Sequence, residues 1–497
     1  MDIRDFYREC DVFVTGGTGF MGKVLIEKLL RSCPGIGKMY LLVRERKGKD
    51  VKTRIKEMID LPLFEKLRNE KPGLAEKKLF PIEGDITEPQ LGLSDVDYRM
   101  LSENVSVVFH AAATVRFDEP LREAIIKNVR GTREVVQLGK QMKRLKVFLH
   151  VSTTYCNCNR IYVDEKFYPS PVGWQDAISI AENLDPKLSE ICAKKFLGNF
   201  PNTYTLAKLI AEQIIDEEKF NMPMVIFRPS IVVSSLRDPI SGWIDNLNGP
   251  IALMTACGKG VTLVTLAHKN KTPDFIAVDV SIKAMILAAY QRGIHNTPLD
   301  NNLPIYNCSS VKKSIKVNEI LQLAVKYFMI NPYDEMLWRP RILVTSSVLL
   351  FTVLSLLQQV FPAMLIDFAM KVSGKKHSVN LTKLQRKIYL ATIALSRFST
   401  KSWIFENNNF LKLLNHIPEV NQEDFNFKFE NEDVDKFFQN SVIGTQKYLF
   451  NTNPHKNLQA KKTLKKLVWM DRFLRTLFFL GILKLIAKIV THKMSSF

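Results

Sequence analysis

Residues 15–22 read Thr-Gly-Gly-Thr-Gly-Phe-Met-Gly, directly after the apolar residues Val12, Phe13 and Val14. A glycine-rich turn between a strand and a helix lets backbone N–H groups close on a pyrophosphate, and the helix start adds a positive dipole there. The spacing is Gly16-x-x-Gly19-x-x-Gly22, a variant of the commoner G-x-G-x-x-G. The strand before it and the apolar helix after it (residues 20–30) are the context that makes the pattern a dinucleotide signature. Thr15, Gly16, Gly17, Thr18, Gly19, Phe20, Met21 and Gly22 are therefore the first cofactor-binding candidates.

Strand-type runs alternate with helical stretches through the first 230 residues. The strands are expected at 12–15, 39–43, 79–83, 105–110, 147–152 and 224–228, with helices at 22–31, 119–143 and 204–220. Near-continuous apolar strands separated by helices predict an α/β fold of the Rossmann type, a doubly wound parallel sheet covered on both faces. From about 232 to 335 the pattern loosens, as expected of a substrate lobe completing a nucleotide domain over 1–335. Residues 367–450 read as a helical C-terminal domain rich in aromatics and asparagine.

Membrane-associated segments are expected beyond the nucleotide domain. Residues 342–366 hold no charged residue, a length that can cross a bilayer as a helix. Gln358, Gln359 and Pro362 leave a monotopic or re-entrant helix, or a buried soluble helix pair, as alternatives. The tail from His455 is basic and then apolar. Lys484 and Lys488 do not share a face with Arg472 and Arg475, so shallow insertion or a tail anchor would need snorkelling lysines.

The formal charge of +20 over 497 residues fits a negative membrane surface or phosphate-bearing ligands. The basic residues are spread along the chain, so no nucleic-acid partner is expected. All seven cysteines precede residue 310, and Cys156-x-Cys158 has no second pair to complete a zinc site. No metal is expected, and the odd count points to a reducing compartment. The N-terminal decapeptide is charged, unlike a signal peptide.

The second strand ends at Arg44, followed by Arg46 and Lys47. This position, about 20 residues past the glycine loop, reads the adenosine ribose, and a cation there neutralises a 2′-phosphate. NADPH is the expected cofactor. Asp85 and Ile86 follow the third strand, where a carboxylate can accept from the adenine amino group. Ala111, Ala112 and Ala113 follow the fourth, where small side chains let backbone pass close to the cofactor.

The reaction is assigned to Tyr204-Thr205-Leu206-Ala207-Lys208. Residues four apart share a helix face, so Lys208 can stabilise a Tyr204 phenolate and lower its pKa. It can also bind the nicotinamide ribose. Such a tyrosine gives a proton to a carbonyl oxygen as hydride reaches carbon. Ser152-Thr153-Thr154, at the preceding strand end, supplies a hydroxyl donor. Alone, Y-x-x-x-K is common; glycine loop, strand-end hydroxyls and this helix in order make a constellation.

These motifs resemble the extended short-chain dehydrogenase/reductase superfamily, and within it the eukaryotic fatty acyl-CoA reductases. The resemblance also rests on Asp60-Leu61-Pro62-Leu63-Phe64, His110 to Phe117, Asn128-Val129-Arg130-Gly131-Thr132, His150 to Asn157, Phe227-Arg228-Pro229-Ser230-Ile231-Val232 and Gly242-Trp243-Ile244-Asp245-Asn246. It is strong over about 9–310 and looser over 340–450. It implies NADPH-dependent reduction of a long-chain fatty acyl-CoA to the primary alcohol through an aldehyde, with release of CoA. By position, Thr153 would polarise the carbonyl, Tyr204 be the acid, Lys208 tune it and Asn128 support a proton relay, with Pro229 beside the cofactor.

Ser241 and Leu236-Arg237-Asp238 depart from the family pattern in the substrate lobe. The interval from Asn157 to Asn202 is long for the superfamily: it is expected to sit over the nicotinamide as an acyl or pantetheine tunnel, or to be a surface excursion. Alternatives for the whole are another extended reductase acting on a lipid, steroid or sugar-nucleotide carbonyl, an aldehyde-forming acyl-CoA reductase, or a non-catalytic NADPH-binding scaffold. Membrane lipid and a second copy of the chain are the expected partners. The terminus Met494-Ser495-Ser496-Phe497 is not the serine-lysine-leucine address. The endoplasmic reticulum is expected, with peroxisome and lipid droplet behind it.

Overall fold

A computed structural model describes residues 1–45, 48–295, 303–374, 380–452 and 457–494. Its centre is a seven-stranded sheet: β1 (Asp11–Thr15), β2 (Met39–Val43), β3 (Leu79–Glu83), β4 (Val105–His110), β5 (Val147–Val151), β6 (Met224–Pro229) and β7 (Ile305–Cys308). The order is β7-β6-β5-β4-β1-β2-β3, all parallel. The chain reverses direction across the sheet between β1 and β4, and the crevice at such a switch point is where this architecture binds ligands. β2, β4, β5 and β6 are buried at every position, which is why they read as unbroken apolar runs. The seventh strand went unseen: Ile305-Tyr306-Asn307-Cys308 is short and carries a buried asparagine.

The chain forms two compact units with interleaved segments. The first comprises Met1–Asp245, Lys271–Ile315 and Lys401–Asp433; the second comprises Asn246–Asn270, Lys316–Thr400 and the chain from Val434. The linear division expected at about 335 and 367 therefore does not coincide with compactness.

In the first unit, the segment after Thr400 returns to the nucleotide domain. Ile404–Phe405 pairs with Tyr162–Val163, Trp403 Nε1 donates to Cys158 O at 3.1 Å, and Asn307 Nδ2 donates to both Val163 O and Glu406 O. The first part of the 157–202 interval is thus tied to that returning segment, with Val163 and Tyr168 buried and Ile161 and Tyr162 exposed. Its two helices, Trp174–Asn183 and Pro186–Leu197, follow, tied by Arg130 to Glu182 at 3.0 Å and by Trp174 Nε1 to Glu217 at 2.8 Å. The departing stretch at Leu236-Arg237-Asp238 is anchored. Its three backbone N–H groups donate to the Asp279 carboxylate at 2.7–3.0 Å. Burial alone would raise the Asp238 pKa, but Lys28 and Arg31 outweigh it and hold the carboxyl below its usual range.

In the second unit, the uncharged run does not form one helix. Leu343–Thr345 is a strand paired with Val264–Leu266. The helix starts only after Ser347, whose hydroxyl accepts from Leu350 N. It runs Val348–Ser355, passes a π turn (Leu356–Val360) and continues over Phe361–Val372. This helix is long and apolar enough to cross a membrane. The tail forms one helix, Leu458–Met494. It is fixed early, where Ala460, Leu464 and Asp471 are buried and Asp471 accepts from Trp338, Arg339 and Arg475. His455, Ser495, Ser496 and Phe497 lie outside the described residues.

Candidate active site

The glycine loop leaves the C-terminal end of β1, and its compactness depends on missing side chains. A Cβ on Gly22 would lie 2.3 Å from Gly16 O and 2.7 Å from Gly17 Cα; one on Gly16, at φ +77°, would lie 2.7 Å from Ala112 N. Gly16 and Gly22 are required by backbone contact. Gly19 N donates to Gly16 O at 2.9 Å, and Gly19 caps the helix Phe20–Ser32. Thr15, Gly17, Thr18, Phe20 and Met21 complete the turn and the first helical residues. Phe20 stacks on Trp243 at 5.4 Å, and Lys23 pairs with Asp245 at 2.6 Å. The Gly242–Asn246 motif therefore anchors the helix that starts at the loop.

Neighbouring strand ends converge here. Ala111 N donates to Thr15 O, and Ala112 N to Thr15 Oγ1, both at 3.2 Å. Thr15 Oγ1 lies 2.7 Å from His110 Nδ1, and His110 Nε2 lies 3.0 Å from Thr132 Oγ1. Burial, with the Lys208 charge, pushes His110 down to about 3, so the ring is neutral and bridges two hydroxyls. Ala113 completes this exit, and Ile86 packs under Gly131, whose Cβ would sit 3.0 Å from Ile86 O.

At the adenosine end, Arg44 Nη1 lies 3.2 Å from Asp85 Oδ2. Burial works to raise the Asp85 pKa, but hydrogen bonds from Thr87 and the Arg44 charge hold it low. Arg46 and Lys47 lie outside the described residues. A second cation was missed. Arg54 Nη2 donates to Thr18 Oγ1 at 3.2 Å, and its Nη1 donates to Arg44 O. Arg54 sits in the helix Val51–Ile59, where its arginine character alone gave no signal. An open cleft of about 560 Å³ adjoins, lined by Arg44, Thr87, Ile126, Lys127, Arg130 and Glu182 among others. Thr153 and Tyr204 do not line it.

At the reaction end, Asn202 caps the helix Thr203–Glu217 by accepting from Thr205 N at 2.9 Å. That helix presents Tyr204, half-buried, and Lys208, buried. Burial raises the Tyr204 pKa, opposed by a hydrogen bond with Thr153. Thr153 and Tyr204 are thus brought together. Lys208 differs from expectation: its Nζ donates to Val151 O at 2.7 Å. Burial pushes Lys208 down to about 8, with Glu212 and Cys156 opposing. The reason is geometric, since Val151 is the last residue of β5 and its carbonyl lies within reach of the Lys208 side chain. One turn on, Glu212 makes a fully buried two-bond pair with Arg228 at 2.8 and 2.6 Å, and its charge offsets only part of the burial cost at Lys208.

Asn128 also acts differently. It lies in a π turn (Ile126–Arg130), a form that recurs at functional sites. Its Oδ1 accepts from Thr114 N at 2.9 Å and its Nδ2 donates to Thr114 O at 3.2 Å. Its amide clamps the Ala111–Thr114 loop. Pro229 ends β6 in register with Cys308.

A doubly wound parallel sheet with this loop at its switch point, and strand-end hydroxyls facing a Tyr/Lys helix, defines the nicotinamide-dependent reductase class. Two family profiles, both described as "Male sterility protein", match residues 14–285 and 358–452; the first is a NAD-binding domain. Fatty acyl-CoA reductase 1 of Xenopus laevis is 37% identical over 468 residues, covering 94% of this chain and 90% of that protein. The Homo sapiens protein of the same name is 36% identical at the same coverage, and fatty acyl-CoA reductase wat of Drosophila melanogaster is 33% identical over 475 residues. Among solved structures, the terminal R domain of the myxalamid PKS-NRPS pathway shares the fold at TM-score 0.58 and 18% identity, covering 89% of this chain and 91% of that one. The chain belongs to the fatty acyl-CoA reductase family, and is a reductase with a nicotinamide-binding domain.

Proposed function

We propose that the protein reduces a long-chain fatty acyl-CoA to the primary alcohol with NADPH, at an intracellular membrane, the endoplasmic reticulum first. The observation that carries this reading is the meeting of Thr153 and Tyr204 above β5, with a buried lysine one turn further on the same helix. Residues 15–22, Arg44 and Arg54 would hold NADPH. The pairing of two arginines beside Thr18 supports a phosphorylated ribose over a bare one. NADPH held there would supply one hydride per molecule, a first cofactor reducing the thioester carbonyl carbon and a second, after exchange, the aldehyde that follows CoA release.

Thr153 donates to the substrate oxygen and lowers the cost of negative charge there. Tyr204 gives its proton to that oxygen in the aldehyde step. A phenol with a raised pKa is a poor proton source by itself, so the positive charge of Lys208 is needed to stabilise the phenolate left behind. Neutral His110, bridging Thr15 and Thr132, keeps the glycine loop and the Ala111–Thr114 exit in register, and Asn128 fixes the other side of that exit.

The test is an assay of purified protein with NADPH and acyl-CoAs of graded length, with free CoA, aldehyde and alcohol quantified separately. Alcohol with equimolar CoA is the expected result. Cofactor oxidation with neither aldehyde nor alcohol would overturn the assignment.

A further inference from the structure

The helix Val348–Val372 has two different faces. Phe351, Ser355, Gln359 and Ala363 recur every fourth residue and are all buried, at 1, 1, 6 and 4% exposure. Phe351 joins Leu263, Val264 and Leu266 in one apolar cluster and stacks on Tyr389 at 5.4 Å. Gln359 Oε1 accepts from the backbone N–H groups of Leu263 and Val264 at 2.6 and 3.3 Å. Asp367 caps the helix Leu381–Thr400 by accepting from Leu381 N and Thr382 N. The opposite face is bare: Leu349, Leu357, Phe361, Phe368 and Val372 are 75, 64, 57, 67 and 72% exposed.

From this arrangement we infer that Val348–Val372 lies along an anionic membrane surface, outer face immersed, and does not cross the bilayer. Length and composition permit a span, but a span must present apolar side chains to lipid on all sides or be wrapped by other membrane-embedded protein. Here one stripe is committed to a short strand pair and to a helix carrying Lys383, Arg386 and Lys387. Crossing would draw that strand pair, its edge N–H groups and Asp367 into hydrocarbon. Lying flat immerses only the bare face, to the depth of the headgroup and acyl boundary. The charge pattern selects the lipid: residues 341–397 hold eight Lys and Arg against one acid, Asp367, which favours an anionic leaflet.

The topology is tested in the full-length chain carrying Cys192→Ser, since the other six cysteines are buried. Ser346→Cys and Ser373→Cys, introduced separately, mark the two ends of the helix. Sealed microsomes from expressing cells are treated with a membrane-impermeant maleimide, and retained reductase activity verifies folding. Equal labelling of both ends from one side, without detergent, is expected. Labelling of one end only after permeabilisation would show a span and overturn the inference. In a second arm, Leu357→Cys carrying an environment-sensitive fluorophore is added to phosphatidylcholine vesicles with or without phosphatidylserine and with brominated acyl chains. Shallow-brominated lipid should quench at least twofold more than deep-brominated lipid, and more with phosphatidylserine. Absence of quenching would mean that protein, such as a second copy, covers this face, and would also overturn it.

Discussion

Replacing Lys208 with methionine should stop catalysis yet make the folded protein more stable at neutral pH. The Lys208 ammonium is buried, and its largest influence is desolvation, which brings its pKa from 10.5 to about 8. That displacement corresponds to about 3 kcal/mol of lost stability. The methionine removes this penalty and leaves Val151 O without its donor, at about 1–2 kcal/mol. The net expectation is stabilisation of about 1–2 kcal/mol at pH 7.

The pH dependence has a fixed sign. Below pH 8 the lysine is charged in both folded and unfolded chains, and the penalty is complete. Between pH 8 and 10.5 the folded chain has released the proton and the unfolded chain still holds it, so wild-type stability rises. The advantage of Lys208→Met should therefore shrink across that window and reverse above it, where the penalty is gone and Val151 O still lacks its donor. Urea unfolding of both proteins at pH 7, 9 and 10.5, followed by intrinsic fluorescence, measures this. A variant less stable than wild type at pH 7, or a gap unchanged with pH, would refute the claim that this ammonium is buried and unpaired by carboxylate. Turnover should fall by about 10²–10⁴.

Tyr204→Phe should abolish alcohol formation while cofactor affinity, read by fluorescence titration, changes less than about threefold. Full retained activity would remove Tyr204 as the acid. Arg44→Ala and Arg54→Ala should each raise KM for NADPH by about tenfold or more, and far more than for NADH, since an arginine on a phosphate is a charge-assisted contact; equal changes for the two cofactors would contradict a 2′-phosphate site. Gly22→Ala should weaken cofactor binding and cost about 1–3 kcal/mol of stability, because its Cβ has only backbone to displace. Gly35→Ala, whose Cβ would meet only Arg8 Cγ at 3.5 Å, should stay near wild type by thermal melting.

The sheet was legible because its inner strands are buried on both faces and read as apolar runs, and five of the six expected strands are closed by Gly16, Gly84, Ala111, Ser152 or Ser230. β7 was not, since Asn307 interrupts it and earns its place by bonding to segments more than ninety residues away in each direction. Tyr204 and Lys208 could be put forward from helix spacing and the hydroxyls of Ser152-Thr153-Thr154 from a strand end, because both are local properties, while the choice of Thr153 among the three rested on the family resemblance. What Lys208 and Asn128 bond to could not be, as both partners, Val151 O and the Thr114 backbone, are main-chain groups that any residue carries. Arg54 and His110 escaped because their hydroxyl partners, Thr18, Thr15 and Thr132, lie on other elements. The interleaved units were hidden because the return of Lys401–Asp433 to the first unit depends on a two-residue strand pair, far below what hydrophobic periodicity can register.

The central claim is that one site delivers two hydrides to one carbonyl carbon. It is tested most directly by supplying a long-chain acyl-CoA with NADPH deuterated at C4 on the transferred face and reading the product by mass spectrometry. The account predicts a primary alcohol carrying two deuterium atoms at C1. An alcohol with a single deuterium, or deuterated aldehyde alone under excess cofactor, would contradict it.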